Sequence, residues 1–436
     1  MTAPSSANQK SLFSDETSVD DSKSSTFIDN LSIPIHRWFK YSAGFSAEWV
    51  REVIRLYQNK WGKEEINVLD PFAGSGTSLL EGEICNAKTL GVESHPFIAR
   101  VAKSKLKWRS STSDLKNFAE DVLSDAKSWS EDFKEPPKLI RKCFDGSTYK
   151  RLASIREAWR NKDDASSVST LTWLALISII RDCSTAGTAQ WQYVLPNKTK
   201  KNVSDPYEAF LTKVEIMASD MAERQSWRHG PRAQMFEEDA RKCSSIPKDW
   251  ADLIITSPPY ANNYDYADAT RLELTFLGEV ERWADLQDAV RKYLIRSCSQ
   301  HIRTNQREKT FDLLESDRLR PIQDEITPVV EELADLREER SGRKDYHAMV
   351  AAYFADMAET WNSLRETARE DSKICFVVGD SAPYGVHVPV EEWLGELALS
   401  AGFKSYHFEK TRDRNVKWDN RVHKVPLHEG RLWITG

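Results

Sequence analysis

No apolar run in the 436-residue chain approaches the roughly 20 residues that a membrane span needs, so a helical membrane protein is excluded. The six cysteines, at 85, 143, 183, 243, 298 and 375, include no CxxC pair and no histidine neighbour at ligand spacing. Neither a disulfide framework nor a zinc site is expected, and buried free thiols are the better reading. The nine histidines form no helix-spaced or strand-spaced set with Cys or Asp, so no metal is expected. An excess of positive charge is also missing: 61 Lys and Arg stand against 67 Asp and Glu, a formal charge of −6. Any polyanion must therefore be met by local basic patches and not by the net field. The N-terminus lacks the basic, apolar and small-residue succession of a signal peptide, and nothing directs the chain out of the cytoplasm. No internal repeat is visible.

What is present divides along the chain. Residues 1–26 are rich in Ser, Thr, Asp and Lys with almost no aromatics, a composition that cannot bury enough surface to offset ordering entropy, and are expected to be a disordered tail. From Ile33 the aromatics Trp38, Phe39, Tyr41, Phe45 and Trp49 lead into packed structure. A short apolar strand over Ile66–Leu69, a Gly-containing turn, a helix over Thr77–Cys85 and a strand over Thr89–Val92 read as a βαβ unit, followed by a helix over Pro96–Lys107. Residues 27–112 are thus the first part of a core. Residues 113–230 show helical patterns without a convincing strand and read as a helical insertion. The core resumes over 231–280 with a strand near Leu253–Thr256. A charged insertion occupies 281–345. The C-terminal part, 346–436, reads as an amphipathic helix from Tyr346 to about Ala368, strands at Ile374–Val378, Phe403–Phe408 and Arg431–Thr435, and a basic loop before the last.

The turn Asp70-Pro71-Phe72-Ala73-Gly74-Ser75-Gly76-Thr77 follows a buried strand and opens a helix, the context in which a glycine-rich turn is informative. Gly74 and Gly76 allow close backbone approach, and the helix N-terminus offers free N–H groups to an anion. No Lys follows the second Gly, so this is not a P-loop. Glu93 ends the second strand 23 residues after Asp70, near the spacing at which a carboxylate meets ribose hydroxyls. The bland alternative is a tight turn with Glu93 capping the next helix.

Thr256-Ser257-Pro258-Pro259-Tyr260 follows the strand that ends at Ile255. Two consecutive prolines make a rigid turn deprived of two N–H donors, which presents carbonyls and side chains to a ligand. Ser257 and the Pro258 carbonyl can accept a hydrogen bond from an amino group, and Tyr260 offers a ring on which a base can stack.

Together the two segments resemble the amino-group DNA methyltransferases, whose cofactor motif has the form Asp-Pro-Phe-x-Gly-Ser-Gly-Thr and whose catalytic motif in N4-cytosine enzymes is Ser-Pro-Pro-Tyr. The resemblance implies a Rossmann-like α/β class I methyltransferase core, a mostly parallel seven-stranded sheet with one antiparallel strand near the C-terminus and helical insertions. It implies that S-adenosylmethionine is the cofactor, with Asp70, Pro71, Phe72, Gly74, Gly76 and Thr77 around its methionine end and Glu93 on its ribose. Asp239 sits where the family places an acidic residue on the adenine ring, with a solvated helix start as the alternative. Phe45, in the segment His36–Val50, falls in a weaker cofactor motif, with core packing as the alternative. Catalysis falls to Ser257, Pro258, Pro259 and Tyr260. Serine at the first position favours cytosine N4 over adenine N6, the adenine enzymes more often carrying Asp or Asn. No Pro-Cys dipeptide occurs, which removes the thiolate nucleophile of cytosine-C5 enzymes.

The resemblance continues through Asn262, Asp265, Tyr266 and Arg271-Leu272-Glu273-Leu274, then through Phe376–Pro389, which borders the base pocket in a bacterial subgroup, and His423-Lys424-Val425-Pro426. It implies a substrate of double-stranded DNA and a modification role beside a cognate restriction endonuclease. An RNA amino-group methyltransferase and a non-catalytic DNA-recognition subunit are the alternatives. Base reading falls to the insertions: 281–345 as the candidate target-recognition region, with Arg303, Arg307, Lys309, Arg318, Arg320, Arg340, Arg343 and Lys344, or 113–230 with Lys198, Lys200, Lys201, Arg228, Arg232, Trp191 and Tyr193.

Overall fold

A computed structural model describes residues 27–41, 44–189, 192–340, 344–414 and 425–436. The expected tail, together with Trp191, Arg343, His423 and Lys424, lies outside the described residues.

The core begins with α1 (Ala47–Trp61), which starts where Ser46 accepts a hydrogen bond from the Trp49 N–H and stops at Gly62 in the left-handed conformation. Its buried positions Trp49, Val50, Val53, Ile54 and Tyr57 follow helical spacing and form one face. Then come β1 (Asn67–Asp70), α2 (Thr77–Ile84), β2 (Lys88–Glu93) and α3 (Pro96–Lys105), the expected βαβ unit and its following helix. After the first insertion, β5 (Gln234–Glu237) and β6 (Ala251–Thr256) restore the sheet, and α15 (Tyr346–Thr367), β7 (Ala368–Gly379), α16 (Val390–Ser400), β8 (Ser405–Arg414) and β9 (Leu427–Thr435) complete it.

The seven strands run in the order β5-β2-β1-β6-β7-β9-β8. All pairings from β5 to β7 are parallel, while β9 is antiparallel to both neighbours, so it is the one reversed strand. β6 is buried along its whole length, as a central parallel strand covered on both faces must be. Strand alternation decides which face each side chain serves. Val68, Leu253, Ile255, Cys375 and Val377 pack with α1 on one side. Leu69, Ile254, Ile374, Phe376 and Val378 pack with α15 and α16 on the other.

The first insertion forms α4 (Thr112–Lys127), α5 (Lys138–Cys143), α6 (Gly146–Lys162), α7 (Ser167–Cys183) and α8 (Pro206–Gln225), whose Leu115, Leu152, Trp173, Leu176 and Phe210 share one hydrophobic cluster with Trp38, Leu80, Phe97 and Trp108 of the first part of the core. Ser111, Asp145, Ser166 and Asp205 cap four of these helices. One departure from expectation is the two-stranded antiparallel sheet of β3 (Ala186–Thr188) and β4 (Val194–Thr199). Ala-Gly-Thr and a strand containing Pro196, Asn197 and Lys198 have little β propensity, and tertiary support makes the pairing.

Past the turn that follows β6 come the short α9 (Tyr266–Ala269), α10 (Arg271–Leu277), α11 (Leu286–Ala289), α12 (Thr304–Glu308) and α13 (Thr310–Leu314), then α14 (Gln323–Glu339). The two C-terminal strands are longer than their apolar patterns indicate, because the β8–β9 pairing continues through charged residues as far as Arg414. The six cysteines are free and buried. No helix among the described residues is long and apolar enough to cross a membrane.

Candidate active site

The topology reverses at β1: β2 and β5 lie to one side of it, β6 and β7 to the other. A crevice opens at the carboxyl ends of the strands at such a point, and it is where open α/β sheets bind ligands. The glycine turn leaves β1 and the proline turn leaves β6, strands that pair directly through Val68 with Leu253 and Leu69 with Ile254. Glu93 ends β2, Asp239 lies two residues beyond β5, and Asp380 follows β7. Apart from Phe45, the sequence-predicted residues therefore gather at the carboxyl ends of four strands, β1, β2, β5 and β6.

Asp70 is fully buried and is a fastener of this edge. One carboxylate oxygen accepts from the Phe72 N–H (3.1 Å) and the Thr256 hydroxyl (2.6 Å), the other from the Ser78 hydroxyl (2.5 Å), so it ties the β1 turn to the end of β6 and to α2. Burial pushes its carboxyl up to about 6, against the pull of these donors. Glu93 is partly exposed. Its carboxylate accepts from the N–H groups of Gly74 (2.9 Å) and His95 (2.7 Å), which aims it across the glycine turn, and burial pushes it up to about 7.

Gly74 and Gly76 both have positive φ, +51° and +87°. A Cβ on Gly74 would stand 3.2 Å from the Tyr41 ring, whereas one on Gly76 would meet the Ala102 Cβ of α3 at 3.3 Å. Gly76 thus serves the turn and its packing, and replacing it would strain the fold as well as any ligand contact. Thr77 is buried at the start of α2, and Pro71 is buried beside the partly exposed Phe72.

Phe45 is buried and packs edge-on against Trp49 (5.8 Å, 78°) in the α1 cluster, so packing accounts for it. The aromatic residue before α1 that touches the glycine turn is Tyr41. Asp239 follows a genuine strand, β5, but both its oxygens accept from Arg241, which also pairs with buried Asp356 at 3.0 Å.

On the other side, the Ser257 hydroxyl donates to the Val377 carbonyl (3.2 Å). With its proton directed there its lone pairs can accept, and the Tyr260 phenol is a further side-chain partner of this hydroxyl. Tyr260 is partly exposed, with its phenol pushed up by burial and by Glu429, and the Arg414 guanidinium lies 5.5 Å from its ring centre. Tyr264 meets Tyr266 edge-on at 4.5 Å and Tyr193 at 5.4 Å, and the Tyr193 hydroxyl accepts from the Asp265 N–H (2.8 Å). The β3–β4 hairpin is thereby braced on the segment that follows the proline turn. Gln192 adds a bond to the Lys40 carbonyl, next to Tyr41.

These contacts set carboxylates and peptide groups at the ends of β1 and β2, and a hydroxyl and phenols beyond the end of β6. No family model matches the chain. It is 25% identical over 429 residues to the type II methyltransferase M.BsoBI of Geobacillus stearothermophilus, a match taking in 89% of this chain and 82% of that protein. It is also 25% identical over 402 residues to the type II methyltransferase M.AvaI of Anabaena variabilis, with 87% and 81% covered. The chain is a relative of type II methyltransferases. Its Rossmann-like sheet carries the glycine turn and the proline turn on adjacent strands.

Tyr41, Tyr193 and Arg414 are site neighbours that the motifs do not contain. Tyr193 and the basic stretch around Arg414 are visible in the sequence, but nothing in the spacing ties them to Asp265 or Tyr260, more than 70 and 150 residues away. Among the described residues no group of three His, Cys, Asp or Glu side chains is placed to hold a metal ion.

Proposed function

We propose that the chain transfers a methyl group from S-adenosylmethionine to the N4 amino group of a cytosine flipped out of double-stranded DNA at a specific site, as a modification enzyme of the cytoplasm. The observation that carries the reading is Ser257: a hydroxyl whose proton is directed to Val377, one strand away from the glycine turn, is an oriented acceptor for an amino group.

The crevice residues fit the cofactor. Glu93 supplies a carboxylate for ribose hydroxyls and is held by two backbone N–H groups, and the turn at Gly74 leaves no Cβ between itself and Tyr41. Phe72 and Thr77 flank the methionine end, and Asp239, shared with Arg241, borders the adenine. When bound, S-adenosylmethionine supplies an activated methyl on a sulfonium, so no protein nucleophile is needed. Ser257 and the Pro258 carbonyl accept from the amino group and turn its lone pair toward the methyl donor. The proline pair holds these acceptors rigid, and Tyr260 stacks on the flipped ring.

Base reading beyond the flipped nucleotide is assigned to the two insertions. Within 281–345, Arg303, Arg307, Arg318 and Arg320 are paired with Asp288, Asp345, Glu359 and Asp317. Lys198 and Lys201 of the first insertion, and Lys309, Arg340 and Lys344 of 281–345, are exposed and have no carboxylate partner among the described residues, so both insertions offer cations for phosphate contact. DNA affinity should fall steeply with salt despite the acidic whole. A cognate restriction endonuclease is the implied genetic partner.

The test is to digest DNA from expressing cells to nucleosides and resolve them by mass spectrometry. N4-methylcytosine is expected. Exclusive N6-methyladenine would overturn the serine argument and leave methyl transfer standing, and no modified base would remove the activity.

A further inference from the structure

We infer that Arg414 is a positioning residue for the stacking tyrosine: its guanidinium, braced from behind, fixes the plane of Tyr260 and leaves the opposite ring face to the target base. The inference rests on the proposed stacking role of Tyr260.

Arg414 ends β8, far in sequence from the proline turn, yet its guanidinium lies over the Tyr260 ring at 5.5 Å. Three features hold it there. Its Nη1 donates to the Asp380 carbonyl at 3.0 Å. Its Nε is 3.9 Å from the carboxylate of Glu429, a buried residue that also pairs with Arg412 at 2.8 Å. Gly379 makes the passage: a Cβ there would stand 2.7 Å from the Arg414 Nη1, and Gly379 does not have positive φ, so space and not conformation calls for glycine.

The brace is itself anchored. Asp380 is fully buried, accepts from the His428 backbone N–H (2.7 Å), and has the His387 and His428 side chains each at 3.1 Å. A planar cation that shares the Glu429 carboxylate with Arg412 and has one donor committed to a carbonyl is pre-ordered on the ring. Lysine has the charge but neither the plane nor the fork.

The experiment measures methyl transfer from tritium-labelled S-adenosylmethionine to unmethylated plasmid DNA by the full chain, with cofactor affinity followed by calorimetry. Arg414→Ala should lower kcat about ten-fold, the size of a partly desolvated cation–π contact, without changing cofactor affinity. Arg414→Lys should not restore the rate. Gly379→Ala, which displaces the guanidinium while keeping its charge, should reproduce the loss. In a Tyr260→Ala background, Arg414→Ala should add nothing further, because the effect runs through that ring. Arg414→Ala and Gly379→Ala variants that bind cofactor and methylate at the parent rate would overturn the inference, as would a loss that persists in full without Tyr260. If Tyr260→Ala alone leaves methylation intact, the stacking reading itself fails, an outcome distinct from a silent Arg414.

Discussion

On the β1–β2 side of the crevice the walls are peptide groups and carboxylates: Asp70 fastened by two hydroxyls and an N–H, Glu93 clamped by two N–H groups, Asp239 held by Arg241. On the β6–β7 side they are a hydroxyl, two prolines and aromatic rings, with Arg414 laid over Tyr260. The first chemistry suits a ligand with hydroxyls and a positive centre. The second suits a flat base with an amino group. The carboxylate side is assembled mostly within one βαβ unit, whereas the base side draws on β6, β7, β8 and the hairpin of the first insertion. Changes on one side should therefore move cofactor affinity, and changes on the other should move the rate.

The strongest break in that division is expected at Ser257. If its oriented acceptor contributes about 2.7 to 4 kcal/mol at the transition state, as a single well-aimed polar group does, Ser257→Ala should slow methylation about 10² to 10³-fold. Calorimetry should find cofactor affinity unchanged, and full activity in the variant would remove the proposed mechanism.

Tyr260→Ala comes next, losing base stacking of about 1 to 3 kcal/mol, while Tyr260→Phe should keep most activity because the ring carries the contact. Steady-state kinetics on the two variants separates ring from hydroxyl. Equal losses in both would assign the contact to the phenol.

Glu93 sharpens the other side through pH. Burial raises its carboxyl from 4.5 to about 7, and ribose hydroxyls donate to the charged form. Cofactor affinity should therefore rise with pH through about 7, by about ten-fold between pH 6 and pH 8, and be lost below it. The cofactor-free protein should respond with the opposite sign. Its folded state keeps the proton between 4.5 and about 7, so this group's contribution to stability declines as pH rises through that window. Titrations of Glu93→Gln should be weaker and flat with pH. A parent profile as flat as the variant's would take Glu93 off the ribose.

The smallest effect is expected at Asp239. Arg241 keeps its Asp356 partner when Asp239 is changed, so Asp239→Asn should cost no more than one hydrogen bond, about 0.5 to 1.5 kcal/mol of cofactor affinity. A loss as large as that of Glu93→Gln would give the two carboxylates equal roles.

Much of the carboxylate side was legible because its parts are local. A glycine turn between an apolar strand and a helix, with an acid ending the next strand, is written within 24 consecutive residues. The base side was legible only at the Ser-Pro-Pro-Tyr turn. The helix Tyr346–Thr367 was readable from its amphipathic pattern, but the β3–β4 hairpin was not, since Ala186-Gly187-Thr188 has neither alternation nor β-branched weight. The strand before Asp239, poorly marked in the sequence, is present as β5, and Phe45 packs on Trp49.

The sequence by itself determined the two motifs, the alternating core that carries them and the absence of a thiolate nucleophile, because those depend on residues adjacent in the chain. Only the tertiary structure decided that the two turns leave neighbouring strands, that Ser257 directs its proton to Val377, and that Arg414 reaches Tyr260 past Gly379. Such contacts join segments separated by more than a hundred residues, and what sets them is the order in which the strands pair, which no local pattern of residue types encodes.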